Sequence, residues 1–375
     1  MPGQYPARMS DHGFWAVQSL VTEPGPAAAA IDRLPSDLGA LRAASQQLVF
    51  HYWADGDYAE NGIAPERISE IDTRYAAAMF ARIGELADLP LSAARQPRQR
   101  LVGCCRDFTV LFVSMARHKG IPARGRIGFA RYLIDGWLID HMIAEVWDGS
   151  ARRWRLVEPE IDDGHTDPTD GACFDALDVP PDRFLTAPRA WQLARSGEVD
   201  PERFVVNPDL EIPTTRGLPQ LRRNLVRDLA ALNKIEMLLW GGLGCAGLAH
   251  RTGPGELSVL DELATLTGQP SPPLADLQSA HRRPEFVVPD TVTSYSPART
   301  DVPAVVDVSA VARTAPDRRF GKADVSATRW HRTLTLGTRW ASTATCCSQW
   351  VNSAGRNPQM AQAAPVSNCS PSIWR

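Results

Sequence analysis

Two stretches near the start of the chain carry apolar residues three and four positions apart. The first begins at Leu38, directly after the candidate N-caps Ser36 and Asp37, and the second runs from Ile68 to Leu86. This spacing places the apolar side chains on one helix face, and serine or aspartate is typical of the position before a helix. The pattern therefore predicts two amphipathic helices in the first quarter of the chain.

The segment 101–159 changes from a helical to a strand-like pattern. Phe108–Met115 has a helical apolar face, and Gly120 with Pro122 ends that helix. Residues then alternate, which predicts three strands, at Arg126–Tyr132, His141–Trp147 and Trp154–Val157. A helix packed on antiparallel hairpins, rather than repeated strand–helix–strand units, indicates the α+β class.

Helical spacing returns in the second half of the chain and is lost near its end. It predicts helices near 188–194, 219–240 and 257–266. From about Pro284 the sequence is dominated by Ser, Thr, Arg, Ala and Pro, a composition that does not easily bury a core. We therefore divide the chain into an irregular lead-in (1–35), an α+β domain (36–178), a helical extension (179–268) and a mostly disordered tail (269–375).

Composition narrows the classes of partner. The 375 residues include 40 Lys and Arg against 43 Asp and Glu, a net charge of −3, which argues against a nucleic-acid partner. No apolar run reaches the roughly 18 residues of a membrane helix, and Met1–Ser19 lacks the pattern of a secretory signal. Seven cysteines, an odd number, are typical of reduced thiols. We expect a cytoplasmic protein without a membrane partner.

Cys105 is the strongest candidate for a nucleophile. It follows Gly103 at the start of a predicted helix, where free N–H groups and the helix dipole lower the pKa of a thiol. His141 begins one predicted strand and Glu158 follows another, so a single hairpin would place the imidazole beside the carboxylate. A thiol, an imidazole and an orienting acid together are the parts of a nucleophilic site.

Four short blocks resemble the signature of transglutaminase-like proteins. Gly103–Phe108 and Gly120–Arg124 are similar to that family's Gly-x-Cys-Arg-Asp and Gly-Ile-Pro-Ala-Arg motifs. His141–Val146 resembles its His-x-x-x-Glu-Val strand, and Trp154–Pro159 resembles its Trp-x-x-x-Asp-Pro strand. The order and the spacing of the blocks agree with the family, although they cover only the segment around residues 103–159.

The resemblance implies a papain-like catalytic core at 36–178 that works without a cofactor or a metal. It implies Cys105 as nucleophile, His141 as general base and acid, and Glu158 as the residue that orients the imidazole. The substrate would be a protein or peptide carboxamide, with an amine as acceptor in transamidation and water in hydrolysis. The chain departs from the family in Glu158, where the pattern has Asp, and in Ile143, where many members have Trp.

Several alternatives stay open at this stage. The same three residues are candidates for a zinc site, although the sequence offers neither a Cys-x-x-Cys pair nor a second nearby histidine. A catalytically silent binding module of the same fold is the other alternative. Cys104 is interpreted as a buried structural thiol, and Glu145 either lines the cleft or forms an ion pair.

Acyl transfer also needs donors for the developing oxyanion. The backbone N–H of Cys105 is one candidate. The aromatic-rich run Tyr52, Trp53 and Tyr58, together with Asn61, is a candidate source of the second, although core packing explains the aromatic residues equally well.

Overall fold

The computed structural model describes residues 11–242, 254–299 and 303–312. The α-helices of this part of the chain are α1 (Asp11–Trp15), α2 (Ala28–Ile31), α3 (Leu38–Leu48), α4 (Ala76–Leu86), α5 (Cys105–His118), α6 (Ala187–Ser196), α7 (Gly217–Leu232), α8 (Pro254–Thr267), α9 (Leu274–His281) and α10 (Ser309–Ala312). The strands are β1 (Val49–His51), β2 (Leu101–Gly103), β3 (Ala123–Ala130), β4 (Leu138–Asp148), β5 (Arg153–Val157), β6 (Phe184–Thr186), β7 (Phe204–Val205), β8 (Gly241–Gly242), β9 (Thr291–Ser294) and β10 (Ala304–Asp307).

A five-stranded sheet forms the centre of the fold. Its strands follow the order β5-β4-β3-β6 with antiparallel pairing, and the short β7 pairs in parallel with the start of β4. Two smaller sheets accompany it, the parallel pair β1-β2 and the antiparallel set β10-β9-β8. The α+β class and the papain-like core predicted from the sequence are confirmed.

Helix α5 is the buried helix of this core. Its residues from Cys105 to Arg117 are all buried, against α3 and α4 as well as strands β3 and β4. Phe108, Leu111 and Phe112 belong to the main hydrophobic cluster, as their helical spacing predicts. Gly120, at φ 75°, follows the end of the helix in a conformation that favours glycine.

The observed elements lie close to the predicted ones, with differences at their ends. Asp37 is the N-cap of α3, since its carboxylate accepts the Ala40 N–H at 2.8 Å. The second predicted helix is divided into a 3-10 segment, Pro65–Asp72, and α4. The helix predicted over 219–240 ends at Leu232, and Lys234 follows with φ 64°, which turns the chain away from the helix axis.

The two ends of the described chain are more ordered than the composition indicates. In the predicted lead-in, Phe14 and Trp15 are buried in the main core. In the predicted tail, Leu277 of α9, Phe286 and Val292 of β9 join the same core. Isolated apolar residues without a period therefore still bury themselves when the partner surface is far away in sequence. Residues 313–375 of the predicted tail lie outside the described residues, so the four-part division stays a prediction.

Within the described residues, no helix combines the length and the apolar character that a membrane crossing requires.

Gly128 of β3 lies at the closest approach between neighbouring strands. It pairs with His141 on one side and with Thr186 on the other. A Cβ added at Gly128 would lie 2.2 Å from the Leu185 carbonyl oxygen and 2.8 Å from the Phe184 ring. No side chain fits there without a shift of the backbone. Glycine at position 128 therefore allows β6 to pack closely against β3.

We expect Gly128→Ala to lower the free energy of unfolding by about 3 kcal/mol, because the added methyl group meets backbone rather than a flexible side chain. Urea denaturation measures this change. Gly149→Ala is the matched control, since its Cβ would meet nothing closer than 4.0 Å, and we expect a change within about 0.5 kcal/mol. Equal stability of the two variants would contradict the close packing at Gly128.

Candidate active site

Cys105 lies at the first position of α5, where a short strand turns into the helix. Strand β2 ends at Gly103, Cys104 is the N-cap, and the Asp107 carboxylate accepts the Cys104 N–H at 2.9 Å. A Cβ at Gly103 would lie 2.8 Å from that same carboxylate, which explains the glycine of the motif. The turn thus places Cys105 at the positive end of the helix dipole.

His141 and Glu158 meet across two neighbouring strands of the sheet. His141 lies within β4, and Glu158 directly follows β5, which pairs with β4. The imidazole Nε2 is 2.8 Å from Glu158 Oε2. The Tyr132 hydroxyl donates to the same carboxylate oxygen, and the Glu160 N–H donates to the other oxygen at 2.9 Å. The carboxylate is therefore fixed by three donors and is fully buried.

Helix α3 holds the chain that carries Glu158. Arg42 donates through Nε to the Glu158 carbonyl oxygen at 2.7 Å. Ser45 donates to the Pro159 carbonyl at 3.2 Å, and Gln46 donates to the Ile161 carbonyl at 2.5 Å. Three side chains on one helix therefore donate to backbone carbonyls of the irregular segment that begins at Glu158. These hydrogen bonds fix the position of the Glu158 carboxylate relative to the sheet.

Two neighbouring side chains act on the thiol of Cys105. Interactions with the Cys104 thiol, and then with the His141 imidazole, outweigh the effect of burial and lower the pKa of Cys105 to about 5. Because Nε2 of His141 is bonded to Glu158, Nδ1 is the ring nitrogen left for an interaction with the sulfur. At neutral pH these interactions favour a thiolate at Cys105.

The pKa of His141 moves in the opposite direction. Burial would lower the pKa of this imidazole, but the charge of Glu158 and the hydrogen bonds with Cys105 and Glu158 raise it well above its usual value. Burial likewise opposes ionisation of Glu158, but the charge of the His141 imidazolium and the hydrogen bonds to the carboxylate outweigh burial. They keep the pKa of that carboxyl below its usual value. The buried group is therefore a thiolate, an imidazolium and a carboxylate at neutral pH.

Cys104 takes a part in this arrangement that the sequence did not indicate. The residue is fully buried, and burial together with the hydrogen bond to Cys105 raises the pKa of its thiol well above the usual value. It therefore stays protonated at neutral pH. The adjacency of two cysteines at a helix start was the available signal, but adjacency alone does not show which way the two sulfurs point.

Tyr132 is a second residue that sequence reasoning missed. It follows β3, and its ring lies edge-on to the imidazole of His141, with the centroids 6.2 Å apart. Burial and the neighbouring Glu158 raise the pKa of this phenol well above its usual value, so the hydroxyl remains a donor. No motif identifies it, because its role depends on a contact between strand ends.

A small pocket of about 90 Å³ lies beside Cys105 and His141. Cys105 and His141 form one side of it, although they are only 4% and 3% exposed. Most of the remaining wall is apolar, and part of it comes from outside the predicted α+β domain. The lining residues are His51, Tyr52, Trp53, Ala54, Cys104, Cys105, Leu133, Ile134, Ile139, Asp140, His141, Glu160, Val206, Asn207, Leu210 and Leu239.

The candidate oxyanion donors of the aromatic-rich run do not act as one group. Tyr52 and Trp53 line the pocket. Tyr58 instead packs edge-on against Phe50 and does not line the pocket. Asn61 donates to the Asp57 carbonyl at 2.8 Å and does not line the pocket.

Glu145 forms an ion pair and does not line the pocket. Its carboxylate contacts Arg124 at 2.6 Å and Arg126 at 3.2 Å, and Arg126 also pairs with Asp228 of α7. This network attaches α7 to the sheet.

One group of side chains in the described part of the chain has the spacing of metal ligands. The ligand atoms of His141, Glu158 and Glu160 lie within 4.8 Å of one another. An ion bound through His141 Nε2 and Glu158 Oε2 would replace the hydrogen bond between these two atoms.

A family model described as the Transglutaminase-like superfamily matches residues 85–159. The matched segment contains Cys105, His141 and Glu158, together with helix α5 and strands β3 to β5. Searches among curated proteins and among solved structures gave no match to the chain.

The lowered pKa predicts how the reactivity of Cys105 depends on pH. We expect alkylation by iodoacetamide to keep its neutral-pH rate down to about pH 5 and to fall tenfold per pH unit below that value, as the thiolate is protonated. Mass spectrometry of the labelled peptides measures the rate, with the exposed Cys173 as the internal comparison. A rate that falls throughout the range from pH 8 to pH 5 would contradict an activated thiol.

The Cys104 thiol is expected to contribute to that reactivity. Cys104→Ala removes a hydrogen-bond donor, so the pKa of Cys105 should rise and the alkylation profile should move to higher pH. Cys104→Ser retains a donor and should stay closer to the original protein. An unchanged profile in the alanine variant would show that Cys104 is only a packing residue.

Proposed function

Because residues 85–159 carry a transglutaminase-like domain, we propose that this protein transfers or hydrolyses acyl groups through a thioester on Cys105. The observation that carries the proposal is the position of Cys105 and His141 at the wall of one pocket, with the His141 imidazole hydrogen-bonded to the buried Glu158 at 2.8 Å. The thiolate is the attacking species, and the raised pKa of His141 keeps a proton available for the leaving group.

The first half of the reaction uses the imidazolium as the acid. The thiolate attacks the carbonyl carbon of a carboxamide, a carbon–sulfur bond forms, and the π-electron pair moves to the oxygen. When the intermediate collapses, His141 protonates the departing amine and becomes neutral. Glu158 holds the ring in place through Nε2, so Nδ1 faces both the sulfur and the leaving group.

The second half of the reaction requires an acceptor. Neutral His141 removes a proton from an amine or from water, the acceptor attacks the thioester, and the thiolate leaves. An amine gives transamidation, while water gives deamidation or peptide hydrolysis. The mainly apolar wall of the pocket supports a protein or peptide substrate.

The alternative is a catalytically silent binding module. The low exposure of Cys105 is the observation that favours it, because a sealed sulfur does not reach a large substrate. The position of the sulfur at the wall of the pocket favours the enzyme.

Substitutions at the three proposed residues test the mechanism. Cys105→Ala and His141→Ala should each lower acyl transfer by about 10³-fold or more, and Glu158→Gln should lower it by about 100-fold or more. Incorporation of a fluorescent primary amine into glutamine-containing peptides measures transamidation, and ammonia release measures hydrolysis. Circular dichroism shows whether each variant is folded.

Arg153→Ala serves as the control, because this half-exposed arginine pairs with Asp178 away from the pocket. Full activity of Cys105→Ala would contradict the thioester. One equivalent of bound zinc, with slow alkylation of Cys105, would instead favour the metal site. Slow alkylation without bound metal would favour the silent module.

A further inference from the structure

His51 ends strand β1, next to the turn that carries Cys105. In the parallel pairing of β1 with β2, His51 lies opposite Gly103, and the following Tyr52 donates its N–H to the Gly103 carbonyl at 2.9 Å. Its imidazole lines the same pocket as Cys105 and His141. None of the roles described above uses this buried titratable group.

The tautomer of His51 follows from its backbone contacts. Nδ1 accepts the N–H of Trp53 at 3.2 Å and the N–H of Ala54 at 3.0 Å. A nitrogen that accepts two hydrogen bonds carries no proton, so the proton of the neutral ring is on Nε2. Burial, together with the nearby positive charge of His141, lowers the pKa of His51 to about 3, which keeps the ring neutral near pH 7.

The Nε2–H of His51 is directed to the region of the pocket that holds Glu160. The nearest carboxyl oxygen, Glu160 Oε1, is 3.9 Å away, which is too far for a hydrogen bond. Burial raises the pKa of Glu160 well above its usual value, which disfavours a charged acceptor beside this N–H. The ring itself is kept in place by the two backbone donors and by stacking on Tyr52.

The backbone N–H of Cys105 is the complementary donor. It belongs to the first turn of α5, where N–H groups lack a helical partner. Among the described residues it has no hydrogen-bond acceptor.

We propose, resting on the proposed function, that His51 Nε2–H and the backbone N–H of Cys105 together bind the oxyanion of the tetrahedral intermediate. His51 is then a catalytic residue that the family motifs do not include. A neutral donor suits this position, because a second cation beside the imidazolium of His141 would be costly in a buried pocket.

An acylating probe separates this role from activation of the thiol. With p-nitrophenyl acetate, the Cys105 thiolate forms a bond to the carbonyl carbon, the electron pair moves to oxygen, and p-nitrophenolate leaves as the acetyl thioester forms. Alkylation by iodoacetamide displaces iodide at a saturated carbon and involves no oxyanion. Only the first reaction needs the proposed donors.

The substitution His51→Asn is suited to the test. The asparagine carbonyl takes the place of Nδ1 as acceptor for Trp53 and Ala54, whereas the donor at Nε2 is lost. We expect the stopped-flow burst of p-nitrophenolate to slow by about 10²–10³-fold, with alkylation of Cys105 within about threefold of the original protein. His51→Gln places an amide N–H near the Nε2 position and should recover part of the acylation rate.

Cys105→Ala measures the background reaction, and Tyr58→Phe is the control on the same segment, since Tyr58 lies outside the pocket. An unchanged burst in His51→Asn overturns the proposal, and so does a parallel fall of acylation and alkylation, which indicates a structural role. A slow burst in Tyr52→Phe but not in His51→Asn assigns the donor to Tyr52 instead. If the unmodified protein shows neither reaction at Cys105, the thioester itself is overturned.

Discussion

The ionised carboxylate of Glu158 is the group on which the pocket depends. A buried carboxylate is costly unless it is fully hydrogen-bonded and paired with a charge, and here His141, Tyr132 and the Glu160 N–H supply the donors. Its charge keeps the imidazole protonated, and the imidazolium in turn stabilises the thiolate of Cys105. Removing the carboxylate would therefore change the protonation of His141 and of Cys105 together.

The same geometry could not form from the motif segment alone. Helix α3 fixes the backbone on either side of Glu158 through Arg42, Ser45 and Gln46. On the far side, Val206 and Leu210 from the chain after β7, with Leu239 after α7, complete the pocket wall. Segments before and after the matched residues 85–159 thus determine the shape of the site, although Cys105, His141 and Glu158 lie within that match.

The sequence was sufficient for the fold class and for the placement of Cys105, His141 and Glu158 at a helix start, in a strand and after a strand, because local spacing determines such elements. It was insufficient for His51, Tyr132 and Cys104, because their roles depend on strand register and on the direction of individual side chains. The buried Phe286 and Val292 show the same limit for the fold. Neither residue lies in a periodic pattern of apolar positions. Their burial is favourable only because segments distant in sequence pack over them.

Charge in the pocket points to the kind of group that it accommodates. The thiolate, the imidazolium and the carboxylate already occupy a buried space, so a further ion there would need a partner of its own. His51 and Glu160, two further titratable side chains that line the pocket, are both harder to charge because they are buried, and Asp140, which lines it too, pairs with Arg227. An uncharged carboxamide enters such a pocket at lower cost than a carboxylate does, since the carboxylate would have to lose its hydration beside two anionic groups. Under the proposed thioester mechanism, this environment therefore favours acyl donors that are amides and opposes rebinding of the free acid that hydrolysis would produce.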